Sequence, residues 1–222
     1  MVYLGPYMPG KVPDIVRLYR IIHIDNVEYV LTHGMFTRLH GKADPNYINI
    51  GDTALIVNRN DYPVPIDPPN GVFGDYVPFY FGPLSPMLLR IKDGNGGVQR
   101  RPQGEIVYIV CRTTDIVDNC KHWCFTDGHA KNKLTEFYND LSDLDQVDWN
   151  MVDQRYWGNK EEDFDRMRRK QAEFLVKDHV PVTCIKAIFA YNLEAMDAVK
   201  AIVDRLKLNV VVKVNPNNNY YY

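Results

Sequence analysis

Hydrophobic and polar positions alternate along Arg17 to Ile24 (RLYRIIHI) and then close into an apolar run, the pattern of a partly buried β-strand. A helix is predicted next: Asp25 serves as its cap, Glu28 stands three residues on as in a capping box, Val27, Val30 and Leu31 share one face, and Gly34 supplies the stop. From Phe36 to Gly74 the periodicity gives way to polar and Pro/Gly-rich sequence, broken by one short apolar stretch at Ala54 to Val57. With the turn-forming Asp67-Pro68-Pro69-Asn70-Gly71, that segment predicts a long loop or lid over a site. Asp75 to Phe81 (DYVPFYF) reads as an aromatic strand whose Pro78 points to an edge or a bulge.

Ser85 and Pro86 start a short helix, and Glu105 to Cys111 (EIVYIVC) is a buried strand by its β-branched content. The charged stretch Glu161 to Gln171 predicts a helix that runs into the apolar Phe174-Leu175-Val176. Ile185 to Tyr191 predicts a strand, Leu193 to Leu208 an amphipathic helix with Ala195, Ala198, Val199, Ile202 and Leu206 inward, and Val210 to Val214 a last strand. Strands separated irregularly by helices argue for a mixed sheet in an α+β fold rather than a regular doubly wound one. No repeat breaks the 222 residues, so a single domain is expected.

Composition changes this picture only at its margins. Hydrophobic residues at 45% and charged residues at 24% are globular values. A formal charge of −2 denies the chain a global electrostatic grip on nucleic acid, so any polyanion site is local. Four sparse cysteines and no apolar leader or span predict a reducing, cytoplasmic setting without membrane contact.

Most candidate chemistry is weak taken alone. Cys120-x-His122-x-Cys124 lacks a second cluster to complete four zinc ligands, so no metal is expected. Gly94-Asn95-Gly96-Gly97 lacks a P-loop ending and reads as a turn. Glu173 differs, because a carboxylate at the head of an apolar strand is costly to desolvate unless it has work or a partner. His129 follows a turn, and Arg59 sits beside the expected lid. The run Arg166-x-Arg168-Arg169-Lys170 with Tyr156 and Trp157 suits a single strand whose bases stack, and a solvated helix face explains it equally well.

Several strings, taken in order, resemble one family. They are Tyr19-Arg20-Ile21-Ile22-His23-Ile24-Asp25-Asn26, Ile50-Gly51-Asp52 with Arg59, Asp75-Tyr76-Val77-Pro78-Phe79-Tyr80-Phe81 with Ser85-Pro86-Met87-Leu88, Phe125-Thr126-Asp127-x-His129, Asp148-Trp149, and Gln171-Ala172-Glu173-Phe174-Leu175-Val176. Together they resemble the DarT family of DNA ADP-ribosyltransferase toxins across nearly the whole chain. The resemblance implies a PARP-like ADP-ribosyltransferase fold with a mixed central sheet and flanking helices, spanning residues 1–222 with an N-terminal extension at 1–16. It implies NAD as co-substrate, single-stranded DNA as acceptor, commonly at thymidine, and a macrodomain antitoxin that removes the mark.

By the matched strings Glu173 and Arg59 take the catalytic positions, and Arg20, Ile21, Ile22 and Asn26 the nicotinamide-binding strand and turn. Tyr80 is expected to stack in the nicotinamide pocket, whereas Phe79 reads as core. Residues 47–61 correspond to the NAD-binding element, and 129–173 to the region that presents DNA. His129, Arg155, Tyr156, Trp157, Arg166 and Arg169 are the expected DNA contacts. Two departures stand out: Arg20 replaces the histidine many members carry, and Leu84 replaces an arginine before Ser85-Pro86. Arginine-type transferases carry Arg on this strand, and its fork suits NAD. The first change leaves guanosine as an alternative target and a non-catalytic single-strand-binding module as a rival.

Overall fold

A computed structural model describes residues 10–222, without the side chains of Ala54, Leu55 and Arg59. Part of the expected N-terminal extension, residues 1–9, lies outside the described residues. The chain runs through β1 (Arg17–His23), α1 (Val27–His33), β2 (Met35–Phe36), α2 (Thr53–Asn60), β3 (Tyr76–Tyr80), α3 (Pro86–Asp93), β4 (Ile106–Arg112) and α4 (Thr113–Asn119). It continues through β5 (Trp123–Thr126), β6 (Phe137–Tyr138), α5 (Trp149–Val152), α6 (Arg166–Arg169), β7 (Glu173–Lys177), β8 (His179–Val180), β9 (Ala187–Ala190), α7 (Leu193–Arg205) and β10 (Val211–Val214).

Among the described residues, eight strands form one sheet in the order β10-β9-β4-β1-β3-β7-β5-β6, mixed because β9 and β10 pair in parallel while the other pairs are antiparallel. The period-two pattern of β1 feeds two cores. Leu18 and Ile22 point to the face covered by α1 and α7, and Tyr19 and Ile21 to the face packed by Leu88 and Ile91 of α3. The closing tyrosines complete the second core: Tyr221 donates its hydroxyl to the carbonyls of Ile106 and Phe189, each at 2.9 Å.

β1 and β3 are sheet neighbours that pair in register only at Tyr19 and Tyr80, whereas β3 pairs with β7 from Tyr76↔Lys177 to Tyr80↔Glu173. The gap between β1 and β3 explains how Pro78 sits inside a sheet. A proline offers no N–H, and its carbonyl on the same side accepts from Arg20 Nη1 at 2.9 Å, so the strand is locally unpaired where the sheet opens.

Four expectations are corrected. Asp25 does not cap α1: it lies in a 3-10 turn, where its N–H donates to His23 Nδ1. The stretch 36–74 is not all loop, because its apolar patch folds as α2. The charged helix shrinks to the four residues of α6, since Asp163 and Asp165 hold its arginines across the preceding turns. On α7 it is Val203, not Ala198, that joins Ala195 and Val199 inside, as a steady 3.6-residue turn requires.

Gly82 and Lys170 fix the turn after β3. The Lys170 ammonium is buried and donates to the carbonyls of Pro83 and Val152. Burial pushes it down from 10.5 to about 7, against the pull of Asp153. The unfolded chain keeps that proton up to the ordinary lysine value, so between pH 7 and about 9 it binds more protons than the fold and stability rises with pH. Above that range the buried cysteines and tyrosines, whose values burial raises, act in the opposite sense. Lys170→Met is expected to flatten the rise of Tm between pH 7 and 9, measured by thermal melts across that range.

Candidate active site

The opening between β1 and β3 leads into a cleft of about 640 Å³ whose walls include Arg20, Ile21, Ile22, Tyr80 and Glu173. Glu173 is only 2% exposed yet faces this cleft, at the first position of β7 and directly across from Tyr80. Its Oε1 accepts from the Ala130 N–H at 3.2 Å, and its own N–H donates to Thr126 Oγ1 at 3.0 Å. Thr126 in turn donates to the Gly128 carbonyl at 2.7 Å. A buried carboxylate is therefore aimed by the tight turn that leaves β5.

Arg20 is stretched across the sheet gap by its bond to Pro78, which presents the guanidinium beside the cleft. Ile21 and Ile22 line the cleft while packing in the two cores. Asn26 works one step back: buried, it donates to the Ile48 carbonyl and accepts from the Ile48 N–H, both at 2.9 Å, and so pins the segment that leads into α2. α2 borders the cleft through Ile56 and Asn60 and carries Arg59, whose side chain lies outside the described residues. Phe79, expected in the core, is there.

Residues expected against DNA divide into two groups. Tyr156 is 82% exposed, on a rim held by Arg166, which donates to the carbonyls of Tyr156 and Gly158 at 2.7 and 2.9 Å. His129 is half-buried on the turn beside Glu173, its N–H given to the Arg168 carbonyl and its Nδ1 taking the Lys131 N–H. Arg155 and Trp157 instead meet the C-terminal tyrosines: Arg155 donates to the Tyr221 carbonyl and lies over the Tyr222 ring, and Trp157 donates to the Tyr222 hydroxyl at 2.8 Å. Arg169 is ion-paired with the buried Asp148 and with Asp163. The basic run is thus neither a solvated face nor an open phosphate ladder, because internal carboxylates and carbonyls take its charges.

Thr126 lies in a matched string, Asn58 within 47–61, and Ala130 and Lys131 within 129–173, but none of the four stood out by itself in the sequence. Lys131 Nζ reaches across to Asn58 Oδ1 on α2 and lies 5.9 Å over the Tyr62 ring, joining the turn beside Glu173 to the helix of Arg59. The Thr-Asp-Gly-His string was the available signal: a buried threonine next to a tight turn supplies the short bonds that such a turn needs.

A split mixed sheet with a buried glutamate facing the gap, and an arginine and a tyrosine on the flanking strands, is the arrangement that the resemblance to NAD-using ADP-ribosyltransferases implied. The family model described as "ssDNA thymidine ADP-ribosyltransferase, DarT" matches residues 19–222, and the chain belongs to that family. A DNA ADP-ribosyl transferase of Escherichia coli O127:H6 is 34% identical over 216 residues, which are 97% of this chain and 98% of that one. The DarT of Thermus sp. 2.9, solved with ADP-ribosylated single-stranded DNA, superposes with a TM-score of 0.85 at 30% identity, covering 96% of this chain and 99% of that one. The same protein solved with NAD+ gives 0.80. A Thermosipho africanus fusion of a DNA ADP-ribosyl transferase with a DNA ADP-ribosyl glycohydrolase is 24% identical over 204 residues, 90% of this chain and 48% of the fusion. Among the described residues no helix is long and apolar enough to cross a membrane.

Proposed function

We propose that the chain holds NAD across the gap between β1 and β3 and moves its ADP-ribose onto a thymine base of single-stranded DNA, releasing nicotinamide. The observation that carries this reading is the meeting of Glu173, Tyr80 and Arg20 at one cleft, drawn from strands far apart in sequence. Tyr80 stacks on the nicotinamide, and the Arg20 fork holds the donor. Arg59 on α2 holds or polarises the incoming base.

Breaking the nicotinamide glycosidic bond builds positive charge on the ribose, the problem glycosidases solve with carboxylates. An ionised Glu173 that accepts from the ribose 2′-hydroxyl stabilises that charge more than it stabilises bound NAD, and only such a difference accelerates the step. Its second partner, the Ala130 N–H, keeps the carboxylate aimed while the charge develops. Nicotinamide leaves as a neutral pyridine, the bond pair returning to its ring nitrogen, so no strong acid is required. Thymine N3 bonds to ribose C1′ as the C1′–nicotinamide bond breaks, and the N3 proton passes to solvent water; Arg59, as a guanidinium, orients the base rather than deprotonates it.

A base must leave its stack to reach the ribose, so single strands avoid an opening cost of a few kcal/mol. Exposed Tyr156 offers a face for a neighbouring base, and His129 flanks the target beside Glu173. The charge balance of the basic run makes stacking the larger part of this contact, with Arg155, Trp157, Arg166 and Arg169 shaping the rim. Four free, buried cysteines suit a reducing cytoplasm. The fusion relative, which joins a DNA ADP-ribosyl glycohydrolase to the transferase, supports a partner that reverses the mark; the macrodomain type of that partner is what the resemblance implies, and this chain is then the toxin of the pair. Incubation with NAD should retard a thymidine-containing single strand on a gel and leave its duplex, or a strand without thymidine, unmoved. Equal retardation of all three would overturn the acceptor assignment.

A further inference from the structure

We propose that Arg168 is a positioning residue for the transfer: it clamps the 127–130 turn so that the Ala130 N–H holds the Glu173 carboxylate in the cleft. This rests on the role given to Glu173 above.

The side chain of Arg168 is 10% exposed. Its Nε and Nη2 donate to the two carboxylate oxygens of Asp165 at 2.8 Å each. Its Nη1 donates to Asp127 Oδ2 at 2.8 Å and to Thr135 Oγ1 at 3.3 Å. A planar fork fixed on one carboxylate and turned toward a second is the geometry in which arginine is not replaceable by lysine.

The main chain repeats the link, since the Arg168 carbonyl accepts from the His129 N–H at 2.9 Å. The turn also lies flat under the guanidinium: a Cβ on Gly128 would meet Nη1 at 2.5 Å and Cγ at 2.8 Å. Arg168 thus grips Asp127, Gly128 and His129 in succession, and the next residue, Ala130, supplies the N–H bonded to Glu173 at 3.2 Å. Thr126, just before the grip, ties the Glu173 main chain. The turn is held at both ends of the segment that aims the carboxylate, and Arg168 stands five residues before Glu173, the start of β7, in the same chain.

The competing role for Arg168 is a phosphate contact, and Asp127 tells the two apart. In a clamp Asp127 is a working partner; at a phosphate site it is a competitor for the cation. Arg168→Met and the isosteric Asp127→Asn are compared with wild type and Glu173→Gln in steady-state transfer from NAD to a thymidine-containing single strand. Circular dichroism and thermal melts check each fold. The clamp predicts that kcat falls about 10- to 100-fold in Arg168→Met, as misplacement of a reacting group does, with both KM values little changed. Asp127→Asn is expected to fall in the same direction by less, and the double variant to be no worse than Arg168→Met, the non-additivity of one shared device. Arg168→Lys is expected to recover only part of the loss, because one ammonium cannot hold both carboxylates in the same geometry.

A lower KM for the oligonucleotide in Asp127→Asn, with kcat intact, would overturn the proposal in favour of the phosphate role. Should Arg168→Met fail to fold, Asp127→Asn decides by the same sign. If Glu173→Gln is inactive while Asp127→Asn and a folded Arg168→Met keep wild-type kcat, the clamp fails and the catalytic reading stands. If Glu173→Gln is active, the catalytic reading itself fails.

Discussion

Replacing Glu173 by glutamine is expected to cut transfer by about 10²- to 10³-fold or more, the scale on which enzymes lose rate when a group that answers transition-state charge is removed. Glutamine keeps the side-chain length and an oxygen for the Ala130 N–H, so the turn 127–130 and the cross-strand neighbour Tyr80 have no reason to move. What is lost is the negative charge that the proposed mechanism sets opposite the ribose. The variant should bind NAD with nearly wild-type affinity by calorimetry, because uniform binding comes from the rest of the cleft and only the charge-selective part is gone. A non-catalytic single-strand-binding module predicts the reverse, with no NAD binding in either protein and unchanged DNA binding in both. Glutamine with wild-type turnover would remove the carboxylate from the mechanism.

The largest effect on stability is expected at Gly82. A Cβ there would lie 1.9 Å from the Val152 carbonyl oxygen and 2.6 Å from its carbon, so main chain rather than a flexible side-chain tip must move. That carbonyl is also a Lys170 acceptor, and Gly82 joins β3 to the Ser85 cap of α3. Gly82→Ala should cost about 3 kcal/mol or more, the upper range for forced overpacking. For a domain of this size that lowers Tm by roughly 10 °C. Gly158, where an added Cβ meets nothing within 4 Å, provides the control: Gly158→Ala should melt with wild type. Equal Tm values for the two variants would show that the turn after β3 is looser than its contacts imply.

How far the sequence revealed this molecule depended on whether the deciding interaction was local. The strands at Arg17, Glu105 and Glu173 were legible because alternation and β-branched runs are carried by neighbouring residues. The Ser85 cap was legible for the same reason: its Oγ accepts the Leu88 N–H at 3.2 Å. Glu173 could be singled out because a carboxylate at the head of an apolar strand is costly wherever the strand sits.

The fate of the basic run was not legible. Arg168 meets Asp127, 41 positions away, and a paired charge has the same letter as a solvated one. Asn26 was expected on the nicotinamide-binding turn by resemblance, but that its amide is spent on Ile48, 22 positions along, has no local signal. Pro78 suggested an edge, and it sits in mid-sheet at a point where the sheet locally opens, which only the paired strands reveal. Arg155 and Trp157 promised a nucleic-acid surface until the last tyrosines were seen to occupy them.

If this chain places ADP-ribose from NAD on a thymine base, nucleoside mass spectrometry of a mixed-sequence single strand, digested after reaction with NAD, identifies the modified base by its mass. The expected product is thymidine heavier by one ADP-ribose, made only with NAD and lost in Glu173→Gln. An adduct on guanosine, or unmodified nucleosides after full exposure to NAD, would contradict it.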